Sequence, residues 1–202
     1  MSKRKEIIII GNGQSVLEES FGEHINKFSI VGRINNFTTD KFSKFIGDKT
    51  NIWFNGANQN LKKRYSFPNE VIVLIPPEIL NRKKTNIHKR IVKRLNIESN
   101  KYSLVPIETM LSYEKNSGIK RLTTGTASIL WAIDNFETVV IYGFDFFIES
   151  KAHYNDNFII KWLNKIGINK KGKKHDMKKE KSYINKLIKK KKVIQLKDYL
   201  LK

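Results

Sequence analysis

The chain has 202 residues, of which 40% are hydrophobic, and it contains no cysteine. That length suits one domain with a full core and is short for two, and the missing cysteine excludes disulfide and thiolate chemistry. A formal charge of +20 raises a nucleic-acid or anionic-surface reading, against which stands the general abundance of Lys, Ile and Asn along the chain.

Ile7–Ile10 is a continuous apolar run ending at Gly11 and reads as a buried strand. It is too short for a transmembrane helix or a signal-peptide core, and no later stretch is long enough either. After Gly11–Ser15 the pattern allows a short helix. Phe28–Ile34 reads as a strand, Lys41–Ile46 as a helix and Asn51–Phe54 as a strand. Val71–Ile75 is the clearest strand, closed by Pro76-Pro77. Ile87–Leu95 (helix), Tyr102–Pro106 (strand), Thr109–Glu114 and Thr124–Phe136 (helices) and Thr138–Tyr142 (strand) follow. Asn157–Ile166 and Met177–Lys189 read as helices, and Val193–Leu196 is the last strand. This alternation predicts an α/β fold with a mostly parallel sheet and helices on both faces, Rossmann-like in type. No internal repeat and no break in composition appears, so residues 1–202 are expected to form a single domain.

The helix at Thr124–Phe136 carries two apolar stripes, Ala127, Leu130 and Trp131 on one and Ile129, Ala132, Ile133 and Phe136 on the other. It is expected to be mostly buried, with Asp134 on a narrow exposed strip. Thr123 or Thr124 suits the N-cap. Gly125 then lies in the first turn, where backbone N–H groups are free for an anion. In Gly11-Asn12-Gly13-Gln14-Ser15 the glycines let the backbone come close to a ligand, and the amides that follow can face a phosphate. The same five residues read equally as a tight turn or a general dinucleotide loop. Residue 16 is Val, so Gly-x-Gly-x-x-Gly is incomplete, and the Gly-Lys-Ser/Thr ending of a kinase-type phosphate loop is missing. Gly11 and Gly143 fall at the carboxyl ends of strands, where open parallel sheets bind ligands.

His175 follows a basic loop and precedes a helix for which Asp176 is a natural N-cap. A helix start disfavours a cation, and a neutral imidazole can take a proton from a hydroxyl. Glu180 stands about one turn inside that helix, where a carboxylate complements the helix dipole. His24 and His88 match no motif and read as surface or packing residues. No Asp-x-Asp and no His/Cys cluster occurs, and Asn155-Asp156-Asn157 lacks the Gly and distal Glu of a calcium loop. No metal site is expected.

Lys170–Lys192 holds twelve lysines against one Asp and one Glu. Lys170-Lys171-Gly172-Lys173-Lys174 reads as a loop leading into the last long helix. Met177, Ile184, Leu187 and Ile188 form the inward stripe of that helix and leave most lysines outward. The segment is expected to meet an anionic surface such as a membrane or lipopolysaccharide; a solvated helix face is the plain alternative. The chain shows no regular basic–aromatic interleaving and no nucleic-acid motif, which argues against nucleic acid as a partner.

Four short motifs occur in one order. They are Gly11-Asn12-Gly13-Gln14-Ser15 with Gly32-Arg33-Ile34-Asn35; Leu122-Thr123-Thr124-Gly125 with Tyr142-Gly143-Phe144-Asp145; His153-Tyr154; and His175-Asp176-Met177-Lys178-Lys179-Glu180. Together they resemble the four sialyl motifs of the animal-type sialyltransferase family: Gly-Asn-Ser/Gly with a later Arg-x-Asn, Ser/Thr-Thr-Gly with Tyr-Gly-Phe, His-Tyr, and His-x4-Glu. The Gly-Asn-Gly start and the Thr/Ser-Gly helix are also similar to those of bacterial lipooligosaccharide sialyltransferases. The family places Glu one residue after His-Tyr, whereas here Asn155 and then Asp156 follow. The membrane anchor and paired cysteines of the animal relatives have no counterpart. The resemblance therefore covers a catalytic domain and implies a bacterial or viral member, cytoplasmic or peripheral at the inner membrane face.

What the resemblance implies is the sialyltransferase variant of the glycosyltransferase fold and an inverting transfer from a CMP-activated keto sugar, sialic acid or Kdo, to a glycan or glycolipid hydroxyl. Asn12 and Asn35 would hydrogen-bond the donor's phosphate and ribose, beside Gly11, Gly13 and Ser15. Taken alone, Asn35 reads as a turn residue, and Arg33 as structural or as a local charge. Thr123, Thr124 and Gly125 would bind the cytidine and ribose side, and Gly143 would give room to the base. His153 would contact the departing phosphate. His175 would be the general base, and Glu180 would shape the His or acceptor site. No cofactor beyond the CMP-sugar is implied, and a donor with one phosphate has less need of a metal. The rival reading is a non-catalytic basic module, binding nucleic acid or an anionic surface, on a nucleotide-binding fold.

Overall fold

Each residue from Ile7 to Ile10 is nearly solvent-free, because β1 (Arg4–Ile10) lies inside a sheet covered on both faces. The computed structural model describes residues 2–82, 86–145, 154 and 175–201. Within them β1 is joined by β2 (Val31–Ile34), β3 (Ile52–Asn55), β4 (Glu70–Val73), β5 (Ser103–Leu104), β6 (Phe136–Tyr142) and β7 (Ile194–Gln195). The strands pair in the order β5-β4-β3-β2-β1-β6-β7, every pair parallel. Parallel neighbours need crossovers, and helices supply most of them. The helices are α1 (Gly22–Lys27), α2 (Ser43–Ile46), α3 (Pro77–Arg82), α4 (Ile87–Leu95), α5 (Ile107–Ser117), α6 (Thr124–Asn135), α7 (Met177–Lys189) and α8 (Leu196–Leu200). A 3-10 turn covers Gln14–Leu17.

Successive strand side chains point to opposite faces. Ile7 and Ile9 therefore pack with Met110 of α5, Ile129 of α6 and Ile184 of α7. Ile8 and Ile10 pack on the other face with Val16, with Ile25 of α1, Ile46 of α2 and Leu196 of α8. A third cluster joins Trp53 and Val73 to Leu80 of α3 and Ile91 of α4. The register sets Trp53 beside Arg33, so this cluster lies on the second face.

Every strand expected from the sequence forms, as does each expected helix within the described residues. The expected helix Asn157–Ile166 and the loop Lys170–Lys174 lie outside them. The short helices α1, α3 and α8 are additions. None exceeds six residues, too short to display a helical period. The strand order runs outward from β1 through β2 to β5 on one side and through β6 to β7 on the other. The reversal between β1 and β6 is a topological switch point, and the crevice beyond the strand ends there is the binding position of such sheets.

Candidate active site at the carboxyl ends of β1, β2 and β6

The exits of β1 and β6 close directly on each other. The Gly11 N–H donates to the Tyr142 carbonyl at 2.7 Å and the Gly13 N–H to the Gly143 carbonyl at 2.9 Å. A Cβ on Gly11 would stand 2.2 Å from the Gly143 oxygen, and one on Gly143, whose φ is +74°, would stand 2.2 Å from a Val16 methyl. The Asp145 carboxylate occupies the start of the 3-10 turn, accepting from the Ser15 N–H at 3.1 Å and from the Ser15 hydroxyl. The amides of Gly11, Gly13 and Ser15 are thus used within the chain, and a phosphate would have to be met by other groups of this loop. These glycines serve first to let two strand exits touch.

Asn12 ties β1 to β2. Its side-chain N–H groups donate to the carbonyls of Ile34 at 2.9 Å and Asn36 at 3.2 Å. Asn35 takes a left-handed turn, φ +48°, so its reading as a turn residue holds. Its Oδ1 accepts from the Gly56 N–H at 3.1 Å, which links the β2 exit to the β3 exit. A Cβ on Gly56 would in turn stand 2.7 Å from the Thr124 hydroxyl, so the β3 exit abuts the start of α6. Arg33 is structural: it is 1% exposed, and it donates to the carbonyls of Ile46 at 2.7 Å and Gly47 at 3.0 Å, which end α2, and to Lys49. Burial brings its guanidinium down to about 10. His153 lies outside the described residues. Its neighbour Tyr154 is buried, donates its N–H to the Asn12 carbonyl at 3.1 Å and its hydroxyl to the Thr38 carbonyl at 2.7 Å. Burial pushes that phenol up, against the pull of the Thr38 bond and of Arg33.

Thr123 is the N-cap of α6, its hydroxyl accepting from the Thr126 N–H at 3.1 Å. The backbone N–H groups of Thr124 and Gly125 have no partner among the described residues, as the first turn of a helix requires. Glu180, in the first turn of α7, reaches across to this helix start. It is wholly buried, and it accepts from the Thr123 N–H at 3.0 Å, from the Thr123 hydroxyl at 2.6 Å and from the Thr126 hydroxyl. Both carboxylate oxygens are engaged by the start of α6. Asp176 caps α7 as expected, accepting from the Lys179 N–H at 3.1 Å.

His175, half-buried, places Nδ1 2.6 Å from the Arg121 carbonyl oxygen. A carbonyl only accepts, so Nδ1 carries the hydrogen; in a neutral ring the lone pair is then on Nε2. Arg121 is itself left-handed, φ +57°. Its N–H donates to Glu114 at 2.7 Å and its guanidinium to Glu78 at 2.8 Å, which fixes the carbonyl that holds His175. Two further residues went unnoticed in the sequence. Asn55, at the end of β3, is 0% exposed with Oδ1 on the Ala57 N–H and Nδ2 without a partner among the described residues. Arg94 of α4 clamps the Ala57 carbonyl at 2.7 Å. An Asn before Gly is an ordinary turn signal; its place at the carboxyl end of a strand was the available hint. Among the described residues no three His, Asp or Glu side chains gather as metal ligands, and no helix is long and apolar enough to cross a membrane.

The sheet is of Rossmann type, with an open helix start and a histidine held by Arg121 near its switch point. A family model, glycosyltransferase family 29 (sialyltransferase), matches residues 2–192, and the chain belongs to that family. Among curated proteins the β-1,6-galactosyltransferase GALT29A of Arabidopsis thaliana is 42% identical over 50 residues, 25% of this chain and 13% of the plant protein. Among solved structures a mammalian sialyltransferase superposes with a TM-score of 0.69 at 16% identity, over 96% of this chain and 69% of that one. The Campylobacter jejuni sialyltransferase CstII, solved with the substrate analogue CMP-3FNeuAc, gives 0.57 at 17% identity, over 95% and 81%. At these identities the structures establish the shared fold.

Proposed function

We propose that the chain transfers sialic acid or a related keto sugar, with inversion, from a CMP-activated donor to a hydroxyl of a glycan or glycolipid. The observation that carries this reading is the His175 ring, held through Nδ1 by the carbonyl of Arg121, two residues before the Thr123 N-cap whose helix has an open first turn. The acceptor oxygen attacks the anomeric carbon while Nε2 takes its proton. The bond from that carbon to the phosphate oxygen breaks, and its electron pair leaves with CMP. The N–H groups of Thr124 and Gly125, at the positive end of α6, meet the departing nucleotide, with His153 supplying a further donor. Asn35, through its Nδ2, and Asn12 line the ribose and phosphate side. The unpartnered Nδ2 of Asn55 gains a bond when the donor is in place, which gives a buried orphan donor a purpose.

The donor class is tested by thermal stability with CMP, UDP and NAD. CMP at about a hundredfold over its dissociation constant is expected to add roughly 2.7 kcal/mol, with no response to NAD. UDP is the pertinent competitor, since the plant relative is named a galactosyltransferase. No response to millimolar CMP, or a larger one to UDP, overturns the CMP reading. Transfer is also expected to persist in excess EDTA, because the leaving group carries one phosphate and the proposed contacts to it are hydrogen bonds and a helix dipole. Loss of turnover that added metal restores would show that a cation takes part in departure.

A further inference from the structure

The outer face of α7 is a continuous cationic stripe. At 3.6 residues per turn, Lys178, Lys179, Ser182, Lys186 and Lys189 fall within about 100° of arc, opposite the buried Ile184 and Glu180. Beyond the helix Lys190, Lys191 and Lys192 are exposed as well. Of the acids of this helix, Glu180 is buried against α6, while Asp176 caps the N-terminus and, among the described residues, pairs with Lys179 alone, at 3.3 Å. No ion pair neutralises Lys178, Lys186 or Lys189 among the described residues. Beside the stripe runs an open groove of about 600 Å³, lined by Lys178, Lys181, Lys186, Lys189 and Asn185, with Ile188 and with Gln195 of the terminal strand β7. Its volume lies in the range of small-molecule sites, ample for a phospholipid headgroup.

We propose that this face docks the protein on an anionic lipid surface. Three features favour lipid over nucleic acid. The stripe carries lysines and no arginine, whereas bidentate phosphate and base recognition favours the planar guanidinium. Among the described residues no aromatic side chain lines the groove for base stacking, and Ile188 lines it instead. Lysine stems bury their methylenes while the ammonium reaches headgroup phosphate. Location adds a consequence that rests on the transfer reading above. His175 stands two residues before α7, so a protein held by this helix presents its proposed base next to the bilayer, where a glycolipid acceptor would lie.

The test is co-sedimentation with phosphatidylcholine vesicles, with and without phosphatidylglycerol, for three proteins. They are the intact chain, the variant Lys178→Glu/Lys186→Glu/Lys189→Glu, and a control variant Lys63→Glu/Lys93→Glu/Lys101→Glu. The control lysines are exposed and lie toward the β5 side of the sheet, so both variants change net charge equally. Binding to the anionic vesicles at about 0.1 M salt is expected to fall on the order of a hundredfold in the α7 variant, about fivefold per lysine lost. The control is expected to retain most of it. The intact chain should release as salt approaches about 1 M, where screening reaches roughly 3 Å. Equal losses in both variants, equal binding to neutral vesicles, no binding at low salt, or tighter binding to duplex DNA than to the anionic vesicles would each overturn the proposal. Stabilisation by CMP should be the same in all three proteins. Its absence from all of them would count against the donor and leave the docking result standing.

Discussion

His175→Ala is expected to lower transfer by about 10² to 10⁴, the usual contribution of a positioned general base, while CMP affinity stays close to that of the intact protein. The acceptor hydroxyl is a poor nucleophile until its proton leaves. The ring is placed for that task by one bond, Nδ1 to the Arg121 carbonyl at 2.6 Å. That carbonyl is in turn aimed by a left-handed residue held on Glu114 and Glu78. His175 makes no contact with the Thr124 and Gly125 amides in the described structure, so removing it takes nothing from the nucleotide side of the site. The ring is only partly buried, and its loss should cost little stability. His153→Ala provides the contrast: its assignment to the departing phosphate predicts weaker CMP binding together with slower turnover. The two variants are measured side by side, CMP affinity by titration and rate by release of CMP in the presence of acceptor. Turnover of His175→Ala at the intact rate would mean that the His-x4-Glu spacing is accidental, and the base would have to be sought elsewhere.

The sheet was legible because its strands are written as apolar runs ended by Gly or Pro. Ile7–Ile10, Val71–Ile75 and Thr138–Tyr142 could be read that way, and the alternation with helices made the sheet parallel. The location of the site followed, since Gly11 and Gly143 end two of those strands. Less was legible about what each residue touches. Ser15 and Asp145 are 130 positions apart, and no local pattern reveals that a carboxylate fills the start of the Gln14–Leu17 turn. Arg33 left two readings open until the C-terminal carbonyls of α2 were seen around it. Asn55 carries only the turn signal of Asn-Gly in the sequence, while its burial depends on the pairing of β3 with β2 and β4. Glu180 stands in the first turn of its helix as read, but its contact with the start of α6 spans 57 positions and leaves no local signal.

That contact carries the second large effect. Glu180→Ala is expected to lower unfolding stability by about 3 kcal/mol, since hydrogen bonds to a charged group contribute roughly 1.5–3 kcal/mol and a buried donor left bare costs about as much again as a neutral bond. For a chain of this size that is a drop in melting temperature of roughly 6 to 12 °C. Three donors lose their acceptor at once: the Thr123 N–H and the hydroxyls of Thr123 and Thr126. They all lie at the cap of α6, so the same change should loosen Thr123, Thr124 and Gly125 and weaken CMP binding. Glu180→Gln should be milder. Its carbonyl oxygen still accepts from the Thr123 N–H, and the two hydroxyls can rotate so that one accepts from the new amide. A structural role further predicts that the pH profile of transfer in Glu180→Gln matches that of the intact protein, because no proton passes through the carboxylate. Glu180→Ala melting at the temperature of the intact chain would remove the proposed bracing of α6 by α7. A Glu180→Gln variant that melts normally yet has a displaced pH profile would instead return Glu180 to the proton chemistry of the site.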